Sequence, residues 1–364
     1  MATESSTKNF LIVIHGMGQH TRETVTDEVT STMSGISGWD EQKVELKVIT
    51  YNNVFDDWRE RAQEDWNKTL QMLDGRVHFT KMKETLERSL DVDKDDFFQT
   101  HWLDVVLYMS TIGDPVQLEV ATQLTRFLEE YFAGGNLDGR NCVIVAHSLG
   151  TAVAHDSLHK MWAGGFEDEG HNNLSRLPIS IDAFFQIANT SRLLKSGIDP
   201  SSRKTAVRPA PGALMHRMYN CWHECDPIAR IKQFRIKDLD HWLAERETPN
   251  SAYKDIRLQG IHQINVHSLG HYLKDPRLHV RLLQSLFDDY RPPQDLQDQI
   301  SKHDAGAIDD EIEALKKTVE DAKETFENIE SISDIAEAFR KVQHGLDTSY
   351  SELVTAIKEL GEIA

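Results

Sequence analysis

The sequence predicts an α/β fold with a mostly parallel central sheet flanked by helices. Short continuous apolar runs alternate along the chain with longer segments whose apolar residues recur at helical spacing. Strands that alternate with helices in this way form parallel sheets covered by helices on both faces. The 364 residues suffice for one large domain with an appendage, or for two domains, with a substantial core.

The first part of the chain predicts two strands and two helical regions. Residues 9–14 (NFLIVI) are continuously apolar, which is typical of a strand buried on both faces, and residues 44–51 give a second strand. Residues 55–113 are rich in tryptophan and charge and predict a helical insertion or cap. Residues 115–132 open with proline at a helix start and carry apolar residues at helical spacing.

The second part of the chain continues the alternation. A helix is predicted over 149–162, directly after one apolar run. A later helix is predicted over 275–290 and is stopped by Arg-Pro-Pro at 291–293. The predicted strands here are 142–147, 179–189, 215–222 and 261–266.

The chain changes character after the Arg-Pro-Pro stop. Apolar residues in 306–364 step by four and three, and acids outnumber bases by roughly two to one. This heptad-like pattern predicts a helical hairpin or a short coiled coil. We therefore expect a domain over 1–293 and an acidic helical appendage over 294–364. The appendage either packs on its own chain, or forms a homodimer, or binds a partner helix.

Composition and charge restrict the class of protein. Hydrophobic content of 39% and charged content of 27% are those of a globular protein. A formal net charge of −19 argues against a nucleic-acid partner and against docking on an anionic membrane. No apolar run approaches the roughly 20 residues of a transmembrane helix. The polar start carries no secretory signal, and three cysteines form no disulfide framework, so a cytoplasmic location is expected.

The segment Ala146-His147-Ser148-Leu149-Gly150 has the form of a nucleophile elbow. In this motif a serine sits on a strained turn between a strand and a helix, with its hydroxyl exposed. The residues two before and two after must be small, and Ala146 and Gly150 are. A predicted strand precedes the motif and a predicted helix follows it, as the motif requires.

A second motif, His15-Gly16-Met17-Gly18, directly follows the first predicted strand. Glycines let backbone amides face a cavity, which is how an oxyanion hole is built. Such a hole takes one amide from this loop and one from the residue after the nucleophile. The candidate donors are therefore the amides of Met17 and Leu149.

Together these two motifs resemble the α/β-hydrolase superfamily, in its serine esterase or lipase-like branch. The resemblance covers roughly residues 9–290 and implies the chain order serine, acid, histidine. It implies Asp226, just past the predicted strand 215–222, as the acid; Asp182 and Asp240 fit less well. His147 beside the serine is common in the superfamily and is expected to support the turn.

The resemblance places the base in the loop before the last helix, where two histidines compete. His267 directly follows the predicted strand 261–266, and its spacing to Tyr272 is similar to that around the catalytic histidine of related sequences, with the tyrosine packing below. His271 lies in the same loop and remains an alternative base. His262 is expected to be an ordinary side chain within the strand, and His279 a surface residue of the helix.

The resemblance and the chemistry of these residues predict a serine hydrolase that cleaves a small-molecule carboxylic ester through an acyl-enzyme. A serine hydroxyl needs an adjacent base, and an acid fixes the tautomer of that base. No cofactor and no metal are expected. Two alternatives remain: an acyltransferase or thioesterase with the same triad, and a non-catalytic scaffold whose C-terminal helices bind a partner.

Overall fold

The structure is a computed structural model. It describes residues 8–16, 18, 20–73, 104–105, 107–108, 112–133, 140–163, 165–166, 181–191, 207–209, 213–231, 233–234, 252–262 and 265–305. Two predicted features fall largely outside this range. They are the helical insertion beyond residue 73 and the C-terminal hairpin beyond residue 305, so the hairpin and the homodimer stay predictions.

The centre of the fold is one parallel sheet of six strands, as the sequence predicts for an α/β protein. Its spatial order is β2-β1-β3-β4-β5-β6, and each neighbouring pair runs in parallel. The strands are β1 (Asn9–Ile14), β2 (Val44–Ile49), β3 (Cys142–His147), β4 (Ile181–Ile187), β5 (Met215–His223) and β6 (Tyr253–Leu258).

Helices connect and flank these strands. A single 3-10 turn over Glu41–Lys43 precedes β2. The α-helices of the described residues are α1 (Arg22–Ser34), α2 (Asn52–Leu73), α3 (Gly113–Ala133), α4 (Leu149–Ala163), α5 (Pro227–Ile231), α6 (Leu269–Lys274), α7 (Pro276–Leu286) and α8 (Leu296–Ala305).

Alternation along the buried strands creates two apolar layers. In β1, Phe10, Ile12 and Ile14 join one core cluster with residues of α3 and α4. Leu11 and Val13, which point to the opposite face, join a second cluster with residues of α1, α6 and α7. The sheet is thus covered on both faces, which explains why its central strands are apolar at most positions.

The order of the strands fixes where a ligand can reach the sheet. From β1 the chain crosses to β2 on one side and then returns to β3 on the other side of β1. At such a reversal the loops leave in opposite directions and open a crevice outside the carboxyl ends of the strands. The loop that begins at His15 and the turn at Ser148 both lie at this crevice.

The position of the last strand corrects the sequence interpretation. Strand β6 is Tyr253–Leu258, and the described residues of 261–266 form no strand, so the expectation that His262 is a strand residue is wrong. β6 pairs with β5 only and carries exposed charged residues, as edge strands often do. Its apolar pattern is consequently too weak to identify it.

The last predicted helix is also shorter than expected. Residues 269–274 form a separate helix, and α7 ends at Leu286 rather than at residue 290. Phe287 adopts an extended conformation and buries its ring in the core, which ends the helix before the Arg-Pro-Pro segment. His279, expected at the surface, lies on α7 and is half-buried.

The last described helix packs on the domain. Arg277 of α7 forms an ion pair with Asp304 of α8, and the rings of His262 and His303 lie 4.0 Å apart. Among the described residues, no helix is both long enough and apolar enough to cross a membrane.

Candidate functional site

Ser148 occupies a strained turn between β3 and α4. Its φ is +53°, a conformation that non-glycine residues rarely adopt. Its amide donates to the carbonyl of Ile187 at 2.9 Å, and its carbonyl accepts the hydroxyl groups of Thr151 at 2.7 Å and Thr190 at 2.9 Å. These contacts hold the strained backbone in place, since strain of this kind persists only where its surroundings determine it.

The glycines around the turn are required by close backbone approach. A side chain at Gly150 would overlap the carbonyl oxygen of His15 and lie 2.7 Å from that of Ile14. A side chain at Gly16 would lie 2.8 Å from Cβ of Ser148 and 3.2 Å from Nδ1 of His147. The two motifs of the sequence are therefore in direct contact.

The structure brings Ser148, His267 and Asp226 into one hydrogen-bonded chain. The Nε2 atom of His267 lies 2.8 Å from Oγ of Ser148, and its Nδ1 atom lies 2.8 Å from Oδ2 of Asp226. The three residues come from the ends of β3 and β5 and from the loop before α6, and all are buried. An ionised carboxylate can only accept, so Nδ1 carries the proton and Nε2 is free to accept from the serine hydroxyl.

The carboxylate of Asp226 is completely partnered. Oδ1 accepts the amides of Ile228 at 2.9 Å and Ala229 at 3.2 Å, while Oδ2 also accepts the hydroxyl of Tyr272 at 2.6 Å. Burial alone would raise its pKa, but the neighbouring His267 and these donors hold the pKa at about 2. Asp226 is consequently ionised at neutral pH although it is fully buried.

His147 supports the loop that carries His267. Its Nε2 atom donates to the carbonyl of His267 at 2.6 Å, and the two rings lie 4.9 Å apart. Burial, and next the proximity of His267, lower its pKa to about 3, so it is neutral at physiological pH. It is placed to orient His267 rather than to exchange a proton with Ser148.

The alternative base, His271, lies away from Ser148. It belongs to α6, and its Nε2 atom accepts the amide of His262 at 3.3 Å. Its ring contacts that of His223 at 5.2 Å, and burial followed by the neighbouring histidines lowers its pKa to about 3. Within the described part of the chain it makes no hydrogen bond to Ser148 or Asp226.

The loop after β1 lies against the serine turn and is held from several sides. The ring of His15 stacks on Tyr51 at 4.4 Å, and the Tyr51 hydroxyl donates to the carbonyls of His15 at 2.8 Å and Gly16 at 3.1 Å. Gly18 has a φ of +101°, and its amide donates to Asp104 at 3.3 Å. Asp104 in turn forms an ion pair with Arg59 of α2.

The two candidate oxyanion donors differ in what the structure describes. Met17 lies outside the described residues, so the position of its amide stays a prediction. Leu149 is the first residue of α4, where a backbone amide has no carbonyl partner within the helix. Its amide therefore remains available next to Ser148 and at the positive end of the helix dipole.

Sequence reasoning missed several residues that position this site. Thr151 and Thr190 fix the strained serine, and Asp104 fixes Gly18, yet none of them belongs to a recognisable motif. Tyr272 was expected only to pack below the histidine, whereas its hydroxyl binds Asp226. The available sequence signal for Thr190 is its position as a polar residue directly after the predicted strand 179–189.

Comparison with models of protein families gives no match for this chain. Comparison with curated proteins gives no match either.

Metal-binding side chains do not cluster in the part of the chain that the structure describes. No group of three or more His, Cys, Asp or Glu residues there could hold a metal ion. Cys142, Cys221 and Cys225 are buried, and none of them forms a disulfide.

Proposed function

We propose that this chain is a serine hydrolase of the α/β-hydrolase type that cleaves a carboxylic ester through an acyl-enzyme. The observation that carries the proposal is the hydrogen-bonded chain from Ser148 through His267 to Asp226, which begins on a strained turn. A scaffold would have no use for a serine at positive φ whose hydroxyl contacts a base. The topological crevice at the carboxyl ends of β1 and β3 supports the same proposal.

In the first step His267 acts as a general base. Its Nε2 atom takes the proton of Ser148 as Oγ attacks the ester carbonyl, and Asp226 stabilises the imidazolium that forms. Collapse of the tetrahedral intermediate breaks the bond to the alcohol, which leaves with the proton from Nε2. The acyl group is then attached to Oγ of Ser148.

In the second step water replaces the alcohol. His267 takes a proton from water, the resulting hydroxide attacks the acyl-enzyme, and Ser148 leaves with that proton to restore the free enzyme. The amides of Leu149 and Met17 are the proposed donors to the oxyanion in both steps. Losing one donor of this kind typically costs about 3–4 kcal/mol of transition-state stabilisation.

The test is covalent labelling with a fluorophosphonate, followed by mass measurement of the intact chain. We expect stoichiometric labelling of the wild type, and none in Ser148→Ala. His267→Gln should slow labelling by about a hundredfold or more, because a general base contributes a factor of this size.

Two matched variants control for general damage to the fold. Ser157→Ala removes another buried serine, which lies on α4 and donates to the carbonyl of Gln117. His271→Gln changes the buried histidine that does not contact Ser148. Both should retain labelling. A folded wild type that is not labelled, or equal loss in His271→Gln and His267→Gln, would contradict the proposal.

Hydrolysis and transfer are separated by adding an acceptor. The labelled serine is common to an esterase, a thioesterase and an acyltransferase, so the products of an ester substrate must be measured with and without an added alcohol or thiol. Release of free acid at an unchanged rate supports the hydrolase. Conversion of most acyl groups into a new ester or thioester would identify a transferase.

A further inference from the structure

A surface pocket at the end of the sheet opposite Ser148 is lined by four cationic side chains, although the chain as a whole is acidic. It has a volume of about 310 Å³ and lies beside the amino ends of β5 and β6, next to α7. Four of its lining side chains are cationic: Arg217 of β5, Lys254 of β6, Arg281 of α7 and Arg291 beyond it. We call this feature the basic pocket.

The fold explains how these cations meet. Arg217 and Tyr219 are two residues apart on β5, so they point to the same face of the sheet. Tyr219 is the register partner of Lys254 on β6, and α7 covers this face. Arg281 therefore reaches the pocket from the helix layer, and Arg217 and Lys254 reach it from the sheet.

The charges in the basic pocket are only partly balanced by the described protein, since Asp182 attracts Arg217 without forming an ion pair with it. None of the four cationic side chains forms an ion pair with a described residue. Arg281 donates to the amide oxygen of Gln284 at 2.8 Å, and Arg291 donates to backbone carbonyls. Asp288 also lines the pocket, but its carboxylate accepts a hydrogen bond from Asn141 at 3.0 Å. Like charges gathered in this way repel one another until an anion joins them.

The walls add rigid aromatic surface. Tyr219 is almost completely buried and stacks on Phe185 with ring centroids 4.4 Å apart. Tyr290 packs closely on Gly38, where a side chain would overlap the tyrosine ring. A concave site with several guanidinium groups and aromatic walls suits a phosphorylated ligand, because guanidinium groups bind phosphate oxygens in pairs.

We propose that the basic pocket binds a small phosphorylated molecule that carries two or more negative charges. The pocket is separate from the proposed catalytic site, since six residues of β5, or about 20 Å of strand, separate Arg217 from His223. The proposal does not rest on the hydrolase function. The net charge of −19 excludes the simpler explanation that the whole surface attracts anions.

The test is calorimetric titration of the full chain with pyrophosphate, and in parallel with a nucleoside diphosphate, at about 0.15 M salt. We expect saturable binding of one ligand per chain. Arg281→Gln and Arg217→Gln should each weaken binding by about tenfold, because each removes a charge-assisted contact. Equal affinity for the two ligands identifies the phosphates as the recognised group, whereas tighter nucleotide binding shows that the aromatic walls hold the base.

The matched control is Arg126→Gln, which removes one exposed arginine from α3 on the other side of the sheet. It should leave both affinities unchanged. Lys254→Gln, at an exposed position of the edge strand, provides a further variant if Arg281→Gln fails to fold. Absence of saturable binding, or equal weakening by Arg126→Gln, would overturn the proposal. So would binding of an acidic peptide or of anionic vesicles, lost in the pocket variants, without any binding of pyrophosphate.

Discussion

At the scale of single residues, the sequence identifies the residues of the site whose spacing follows a motif and misses those that support them. Ser148 and Gly150 follow from the turn between strand and helix, because close backbone approach permits only small side chains there. Thr190 and Tyr272 contact the site through side-chain hydrogen bonds between distant segments. Such contacts depend on the register of folded elements, which no local pattern contains.

Substitution of Gly150 by alanine should be strongly destabilising. The new methyl group would overlap the backbone carbonyl of His15, and a backbone atom in a packed sheet cannot move aside. We expect a loss of about 1–3 kcal/mol or more in the free energy of unfolding, measured with urea. Gly35→Ala is the control, because its nearest neighbour would lie 3.8 Å away and its φ is −80°. Equal effects of the two variants would contradict the close approach.

Tyr272 is a positioning residue for Asp226, and its hydroxyl can be removed without removing its ring. In Tyr272→Phe the carboxylate loses its 2.6 Å donor, so the pKa of Asp226 should rise and its hold on His267 should weaken. A hydrogen bond to a charged group contributes about 1.5–3 kcal/mol, so fluorophosphonate labelling should slow by about tenfold or more. The acidic limb of its pH profile should also move to lower pH, because an imidazolium that the carboxylate stabilises less gives up its proton more readily.

The control for this substitution is Tyr253→Phe. Tyr253 also donates to an aspartate, Asp255 at 2.9 Å, but on the edge strand. Its loss should leave both the labelling rate and the pH profile unchanged. If Tyr272→Phe lowers the free energy of unfolding but leaves the profile of labelling unmoved, the tyrosine is merely structural.

At the scale of elements, strands buried on both faces are predictable and the edge strand is not. β1 and β3 are read directly from their apolar runs, whereas β6 has the sequence YKDIRL and only two buried side chains. The misplaced strand does not change which histidine contacts Ser148, since the structure places His267 there. Both histidines follow β6, and their separation depends on α6, which begins between them at Leu269.

The ion pair between Arg59 and Asp104 links α2 to the loop after β1. Burial raises the pKa of Asp104 to about 6 despite the opposing charge of Arg59. Arg59→Gln removes that charge and leaves a buried carboxylate, which should raise the pKa of Asp104 further. The cost is that of breaking a largely buried pair, reduced because Arg59 is 27% exposed, and we expect about 1–3 kcal/mol.

The pH dependence of this loss distinguishes it from lost packing. At pH 8 the carboxyl group of Asp104 in the variant is either buried as an unpaired charge or protonated well above its ordinary pKa. Both states cost free energy, so the full loss of stability appears. At pH 5 Asp104 is protonated in the variant, and the cost should shrink. Urea unfolding of the wild type and of Arg59→Gln at both pH values measures the difference, with Arg126→Gln as a control. A loss that is the same at pH 5 and pH 8 would exclude the ion pair as its cause.

At the scale of the whole molecule, buried histidines make the fold sensitive to acid. Burial is the first cause that lowers the pKa of each of them. The pKa is lowered to about 3 in His15, His147 and His271 and to about 4 in His303, and it is also lowered in His223 and His279. Below the ordinary histidine pKa of 6.5 the unfolded chain binds protons that the folded chain does not, so stability must fall as the pH falls.

Carboxylates modify this trend but do not reverse it. Burial raises the pKa of Asp104, Asp182 and Asp275, so in the folded state they take up protons at higher pH and oppose the loss. Asp226, with its pKa of about 2, adds to the loss once the pH falls below its ordinary value of 3.8. Among the described residues, six such histidines outnumber three such carboxyl groups, so we expect a net loss of stability between about pH 6.5 and 4.

The slope of stability against pH measures this balance directly. Each histidine that is neutral in the folded state and charged in the unfolded state contributes about 1.4 kcal/mol per pH unit. We expect the free energy of unfolding in urea to fall steadily from pH 7 to pH 4. His271→Gln should reduce the slope by up to about 1.4 kcal/mol per pH unit. His279→Gln is the substitute variant if His271→Gln does not fold. Ser157→Ala, which removes a buried side chain that does not titrate in this range, should leave the slope unchanged. A stability that is flat over this range would contradict the conclusion that these histidines stay neutral within the fold.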